Sequence, residues 1–182
     1  MKKFSSKLRQ PLWLAAIMLL TIYLFIGRDY RLTYNHGESM DPTISDGDVI
    51  VVQKKNRLPK GWSPDKNDIV IIYDEKSSDK LTKRVLGLSG DTIGIEGGVI
   101  YLNQRELRDP FGQGKIGHYL VDDDDNELRY WNGPQEGEPV FKLVDQAHQK
   151  IPEGFVWVIG DNRSISWYGL LPIEDIKGLV IF

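Results

Sequence analysis

Cysteine is absent from these 182 residues, which excludes a disulfide framework, a thiolate metal site and a cysteine nucleophile, and leaves the redox compartment unread. Histidine is scarce. His36, His118 and His148 are too scattered for a metal pattern of the H-E-x-x-H kind, so neither a metal nor another cofactor is expected. Charge of one sign is not in excess: 23 Lys and Arg against 26 Asp and Glu give −3 and a pI near 5.6, no footprint for nucleic acid. No internal repeat and no long amphipathic helix are found. What is there is 41% hydrophobic and 27% charged, ordinary for a folded protein, with length for one catalytic domain and a membrane anchor.

The long apolar run lies at the N-terminus. Lys2, Lys3, Lys7 and Arg9 precede a stretch from Leu12 to Ile26 that carries no charge. Counted from Pro11 to Gly27 it spans roughly 25 Å as a helix, near the lower limit for crossing a bilayer. Gly27-Arg28-Asp29-Tyr30-Arg31 follows without the small-x-small pair of a cleavage site, so the run is expected to be an uncleaved anchor rather than a removed signal. Four cations before it against Arg28 and Arg31 after it put the N-terminus inside. The expected organisation is a cytoplasmic basic tail over 1–10, a transmembrane anchor over 11–27 and an extracytoplasmic catalytic domain over 28–182. The chain is thus expected to be a single-pass protein of the plasma (inner) membrane, with the lipid bilayer as a partner.

Beyond the anchor the pattern is mainly β: short β-branched runs separated by turn residues. Val49-Ile50-Val51-Val52 and Ile69-Val70-Ile71-Ile72 read as buried strands, each preceded by a turn-closing aspartate, Asp48 and Asp68. Leu81 to Leu88 reads as a strand ending at Ser89-Gly90-Asp91. Thr92 to Ile95 and Val99 to Leu102 read as a hairpin about Gly97-Gly98, and Phe155 to Ile159 and Leu179 to Phe182 complete the set. The stretch from about 105 to 150 has little periodicity and reads as an inserted subdomain or long excursion. Its run Asp122 to Asp125 lacks the spacing of a calcium loop and reads as a solvated acidic loop.

Two places carry chemistry. Gly37-Glu38-Ser39-Met40-Asp41-Pro42-Thr43 puts a serine just beyond the membrane, ahead of the first buried strand. Lys83 and Arg84 interrupt the apolar strand Leu81-Thr82-Lys83-Arg84-Val85-Leu86, and alternation requires that one of them face inward. A buried lysine is costly unless neutral, and a neutral lysine is a base. Lowering its pKa from about 10.4 to about 8 takes roughly 3 kcal/mol of differential solvation, within reach of a dry pocket.

Four segments in order resemble the type I signal peptidases: Ser39-Met40-x-Pro42-Thr43, Asp68-Ile69-Val70-Ile71, Lys83-Arg84-Val85-x-Gly87-x-x-Gly90-Asp91 and Gly160-Asp161-Asn162-Arg163. The resemblance covers about residues 36 to 178. It implies a signal-peptidase-like β-sheet catalytic domain, preceded by one transmembrane helix, that cuts secretory precursors bearing signal peptides after small residues. It implies Ser39 as nucleophile and Lys83 as general base, with Arg84, Asp161 and Arg163 as a supporting charge cluster. Met40, Ile44 and Thr82 should border the small substrate pockets, and the strand near 69 to 73 should pair with the extended substrate. Some members of that family carry a serine two positions before the nucleophile that stabilises the oxyanion. Gly37 stands there, so the role falls to the Ser39 backbone N–H, with the second donor open. His36 is read as structural.

This chain departs from the family after Arg163. Ser164-Ile165-Ser166 passes at once to Trp167-Tyr168-Gly169, without the Asp-Ser-Arg that commonly follows. Ser166, with Ser164 as the alternative, is expected to hydrogen-bond and orient Lys83. A specialised peptidase maturing one pilus or conjugation-type partner, and an inactive tethered peptide-binding domain, stay open at this stage.

Overall fold

The computed structural model describes residues 9–73, 80–119 and 141–181. Helix α1 (Arg9–Asp29) is followed directly by strand β1 (Tyr30–Tyr34). Lys54 Nζ donates to the Gly27 carbonyl at 2.8 Å, a cation on the carbonyl end of the helix, and Arg57 pairs with Asp29 at 3.2 Å. Among the described residues no helix is long and apolar enough to cross a membrane. The side chains at 11, 12, 22 and 24–26, on which the anchor expectation partly rests, lie outside the described ones, as do residues 1–8 and the acidic run 122–125.

Twelve more strands follow β1. They are β2 (Val49–Lys54), β3 (Ile69–Tyr73), β4 (Lys80–Gly87), β5 (Thr92–Glu96), β6 (Val99–Leu102), β7 (Arg105–Glu106), β8 (Gly117–Tyr119), β9 (Phe141–Leu143), β10 (Gln146–Lys150), β11 (Phe155–Ile159), β12 (Tyr168–Pro172) and β13 (Gly178–Val180). The fold is mainly β. A seven-stranded sheet runs in the order β1-β2-β13-β3-β4-β11-β12 and a four-stranded one β10-β5-β6-β7, while β8 and β9 pair apart. The turn-closing aspartates do what their position implies: Asp48 Oδ2 accepts from the Ser45 N–H and Asp68 Oδ2 from the Asp65 N–H. Gly97 and Gly98 both take positive φ, +53° and +76°, as a two-residue hairpin requires.

Two expectations change here. The second sheet takes in β5 and β6, so the excursion begins ahead of residue 105. Its strands share a core with the large sheet, where Ile93, Ile95, Ile100, Ile116 and Ile151 pack on Leu86, Trp157 and Ile159. Strand β3 is also not an edge: β13 arrives from the C-terminal end and pairs with Val70 and Ile71, while β4 occupies the other side. No free backbone is left at the middle of β3 for a substrate.

Strand β4 is the asymmetric one. It pairs with β3 from Lys80 to Arg84, but with β11 only from Arg84 onward, because β11 ends at Ile159 opposite Arg84. Among the described residues Lys80–Lys83 therefore keeps an unpaired backbone edge. Lys80 Nζ donates to Thr33 Oγ1 at 3.3 Å, so the sheet curls until the outer strand β1 comes within one side chain of that edge.

Candidate active site

Ser39 sits on the loop between β1 and β2. The loop is organised from within by Asn35, a buried residue that sequence reasoning missed. Its side-chain amide donates to the carbonyls of Gly37 and Ser45 at 3.2 and 3.1 Å, and its N–H to the Asp48 carbonyl at 2.8 Å. Gly37 adopts φ +83°, a left-handed conformation that glycine takes without strain, and its N–H donates to Asp46 Oδ1. A serine there would be strained. Then Thr43 and Ile44 both donate to the Met40 carbonyl in a tight turn, with Met40 and Ile44 packed against Ile50, Val52 and Ile71. Met40 is 0% exposed, Ile44 6% and Thr82 7%, so all three are buried.

Lys83 comes to this loop from the unpaired half of β4, and its Nζ lies 2.8 Å from Ser39 Oγ. The side chain is 2% exposed. Burial pulls the amine pKa down to about 8, against the opposing pull of Asp161. The expectation that one of Lys83 and Arg84 faces inward is too modest, because Arg84 is buried as well, at 3%. They point to opposite faces, Lys83 opposite Val70 and Arg84 opposite Ile69, and both faces are covered.

The charge cluster lies on the Arg84 side. Arg84 Nε and Nη2 donate to the two carboxylate oxygens of Asp161 at 2.8 and 2.6 Å, Nη1 donates to the Asn67 carbonyl, and the guanidinium stacks 3.9 Å over the Phe111 ring. The loop bearing Asp161 then closes on the serine. Asn162 N–H donates to the Ser39 carbonyl at 3.1 Å, and a Cβ on Gly160 would collide with that same carbonyl. Arg163 donates to the Gly160 carbonyl at 2.5 Å and pairs with Asp109, another residue that sequence reasoning missed.

Ser166 differs from expectation. Its buried hydroxyl accepts from the Gly160 N–H at 2.6 Å and donates to the Trp167 carbonyl at 2.9 Å, so it holds the Gly160 turn, and no bond to Lys83 is among its contacts. Ser164 lies against Gly114, and no bond to the amine is among its contacts in the described residues. His36 is exposed and makes no hydrogen bond to Ser39 among the described residues. The missed residues had little local signal. Asn35 and Asp109 are ordinary turn formers, and only the close glycines Gly112 and Gly114 hint at tight backbone approach.

The arrangement brings a hydroxyl and an amine of depressed pKa into hydrogen-bond contact beside an open strand edge. A neutral amine so placed can take the hydroxyl's proton, which is what acyl transfer by serine requires. Comparison with known proteins points the same way. The family described as signal peptidase, peptidase S26, matches residues 8–182. The signal peptidase I of Bacillus caldolyticus is 27% identical over 96% of this chain and 88% of its own. That of Streptococcus pneumoniae serotype 4 is 30% identical over 98% and 93%. A solved signal peptidase I from Enterococcus faecalis V583 overlaps 65% of this chain and 97% of its own at 21% identity, a loose likeness with a TM-score of 0.38. A match running from the first helix to the last strand, over the segment that holds the serine and the strand that holds the amine, makes this chain a member of the signal peptidase family, peptidase S26, and a serine endopeptidase.

Proposed function

We propose that the chain is a membrane-anchored peptidase that removes signal peptides from exported precursors after small residues, with Ser39 as nucleophile and Lys83 as general base. The observation that carries this reading is the buried amine, with its pKa near 8, 2.8 Å from the Ser39 hydroxyl. The neutral amine accepts the hydroxyl proton as Oγ attacks the scissile carbonyl. The ammonium then protonates the leaving amine, and the same base activates water to free the acyl-enzyme. The Ser39 N–H has no acceptor among the described residues, in keeping with a part in holding the oxyanion. Arg84, Asp161 and Arg163 hold the loop behind the serine, and Ser166 holds the Gly160 turn.

The extended substrate pairs with Lys80–Lys83 instead of β3, in the groove between that edge and β1. Main-chain bonds hold many sequences, and the preference for small side chains is assigned to the surroundings of Met40, Ile44 and Thr82, all three buried. The membrane reading is supported by the uncharged run from Leu12 to Ile26 and by helix α1, where Trp13, Leu14, Ile17, Met18, Leu19, Leu20 and Tyr23 are all more than half exposed. So broad an apolar surface is rarely left in water. Leu32, Tyr34 and Val49 continue it onto the sheet, at 69%, 63% and 55% exposure. The basic residues ahead of the run support residues 1–10 inside and 28–182 outside.

The test uses the full chain in lipid vesicles with a precursor carrying Ala before the cleavage site. Wild type cleaves at that site, and external protease digests the domain when the N-terminus is inside. Ser39→Ala, Lys83→Ala and the double variant all fall to one background, because a nucleophile and its base act as a unit. Retention of more than about a tenth of wild-type turnover by Lys83→Ala defeats the assignment, since general-base help is worth roughly 10²–10⁴-fold. The acid limb of kcat/KM should lie near pH 8 and survive His36→Gln.

A further inference from the structure

After Asp161 the chain has no carboxylate until Glu174, yet Arg163 is only 5% exposed and needs one. The partner comes from far upstream. Asp109, on the turn between β7 and β8, pairs with Arg163 Nη2 while its other oxygen accepts from the Phe111 N–H at 2.9 Å. The same short segment reaches the opposite side of the cluster, since the Phe111 ring lies under Arg84. It is sewn to the loop by two backbone bonds: the Gln113 N–H donates to the Asp161 carbonyl and the Arg163 N–H to the Gln113 carbonyl, both at 2.8 Å. Gly112 leaves the space that the Arg163 guanidinium fills, and a Cβ there would strike it.

From Asp109 the contacts lead to the nucleophile in two steps. Arg163 Nη1 holds the Gly160 carbonyl, and the Gly160–Asn162 loop presses on the Ser39 carbonyl through Gly160 itself and through the Asn162 N–H. We infer that Asp109 is a positioning residue for this reaction: through Arg163 it clamps the Gly160–Asn162 loop against Ser39 and so sets the hydroxyl's place relative to Lys83. This rests on the functional reading above. Among the described residues Asp109 bonds the Phe111 N–H and Arg163, and none of its contacts is to Ser39 or to the Lys80–Lys83 edge. Its loss therefore affects the chemical step rather than substrate binding.

The experiment compares Asp109→Asn, Asp109→Glu and Gly112→Ala with wild type on the vesicle assay. Each is measured at a temperature where circular dichroism shows it folded, with kcat and KM determined separately. Asp109→Asn should lower kcat about 10- to 100-fold with KM within about twofold, the size expected when a reacting group is misplaced by an ångström or less. Asp109→Glu, which keeps the charge, should recover most of that loss. Gly112→Ala, which displaces the guanidinium but leaves both charges, should lower kcat in the same way. A folded Asp109→Asn with wild-type kcat overturns the inference, as does a loss that appears in KM alone or one that Asp109→Glu leaves unrepaired. If Asp109→Asn does not fold at any assay temperature, Gly112→Ala decides the matter, and wild-type kcat in that variant would overturn the inference equally. A wild-type chain that cleaves no precursor overturns the functional reading itself, and the inference with it, before any Asp109 variant is compared.

Discussion

The two faces of β4 hold neighbouring cations at nearly equal burial and treat them in opposite ways. On one face Arg84 meets a bidentate carboxylate, a carbonyl and an aromatic ring. On the other, Lys83 meets a single hydroxyl among the described residues, that of Ser39. The difference follows from the side chains. A guanidinium keeps its proton at any ordinary pH, so its burial has to be compensated by a counter-charge and donors satisfied in plane. A lysine can shed its proton, and desolvation by burial lowers its pKa, only partly opposed by the charge of Asp161. One strand thus carries, side by side, a cation held by its partners and the amine proposed as the base, and the covering of each face makes the difference.

Removing the counter-charge breaks the structural face. Asp161→Asn leaves Arg84 buried without its carboxylate and should destabilise the fold by roughly 3–5 kcal/mol, measured by urea denaturation. A loss below about 1 kcal/mol would mean that the carbonyl and ring alone hold the guanidinium.

The base face should respond with the opposite sign. Below pH 8 Lys83 is charged in both the folded and unfolded states, and the folded state bears the desolvation cost. Between about 8 and 10.5 the unfolded chain holds a proton that the folded chain has lost, so stability rises with pH; above 10.5 both are neutral and the cost is gone. Lys83→Met should therefore stabilise the protein at pH 7 by up to roughly 3 kcal/mol, with the gain shrinking to nothing above pH 10.5. Thermal or urea unfolding across that range checks it. A variant less stable than wild type at pH 7 would show that the amine is compensated in place after all.

The smallest effect separates the two faces from the loop that joins them. Ser166→Ala strands the buried Gly160 N–H and should cost about 1–3 kcal/mol of stability. Because the hydroxyl does not reach Lys83, the acid limb of the pH profile should stay where it is in wild type. A displaced limb would return Ser166 to the amine.

Much of this was readable in short windows. Strands β2, β3, β4, β5, β6 and β11 stand where β-branched runs and turn residues put them, because strand propensity and turn chemistry act over a few residues. Strands β10 and β12 escaped: Gln146–Lys150 is a polar edge and Tyr168–Pro172 carries a glycine and a proline, so neither shows an apolar alternation. The lysine was visible as a charge in an apolar strand, whereas the serine stood out only through the resemblance of its segment to the family's motif.

What alternation along β4 determined is that Lys83 and Arg84 point to opposite faces; it said nothing of what covers either. The tertiary structure decided that both are buried, that β13 fills the side of β3 where substrate was expected, and that Asp109 from the excursion reaches Arg163. Each of these depends on pairing between segments far apart in the chain. Periodicity and turn chemistry act within a few residues, whereas burial and charge pairing depend on which distant strand or loop arrives alongside.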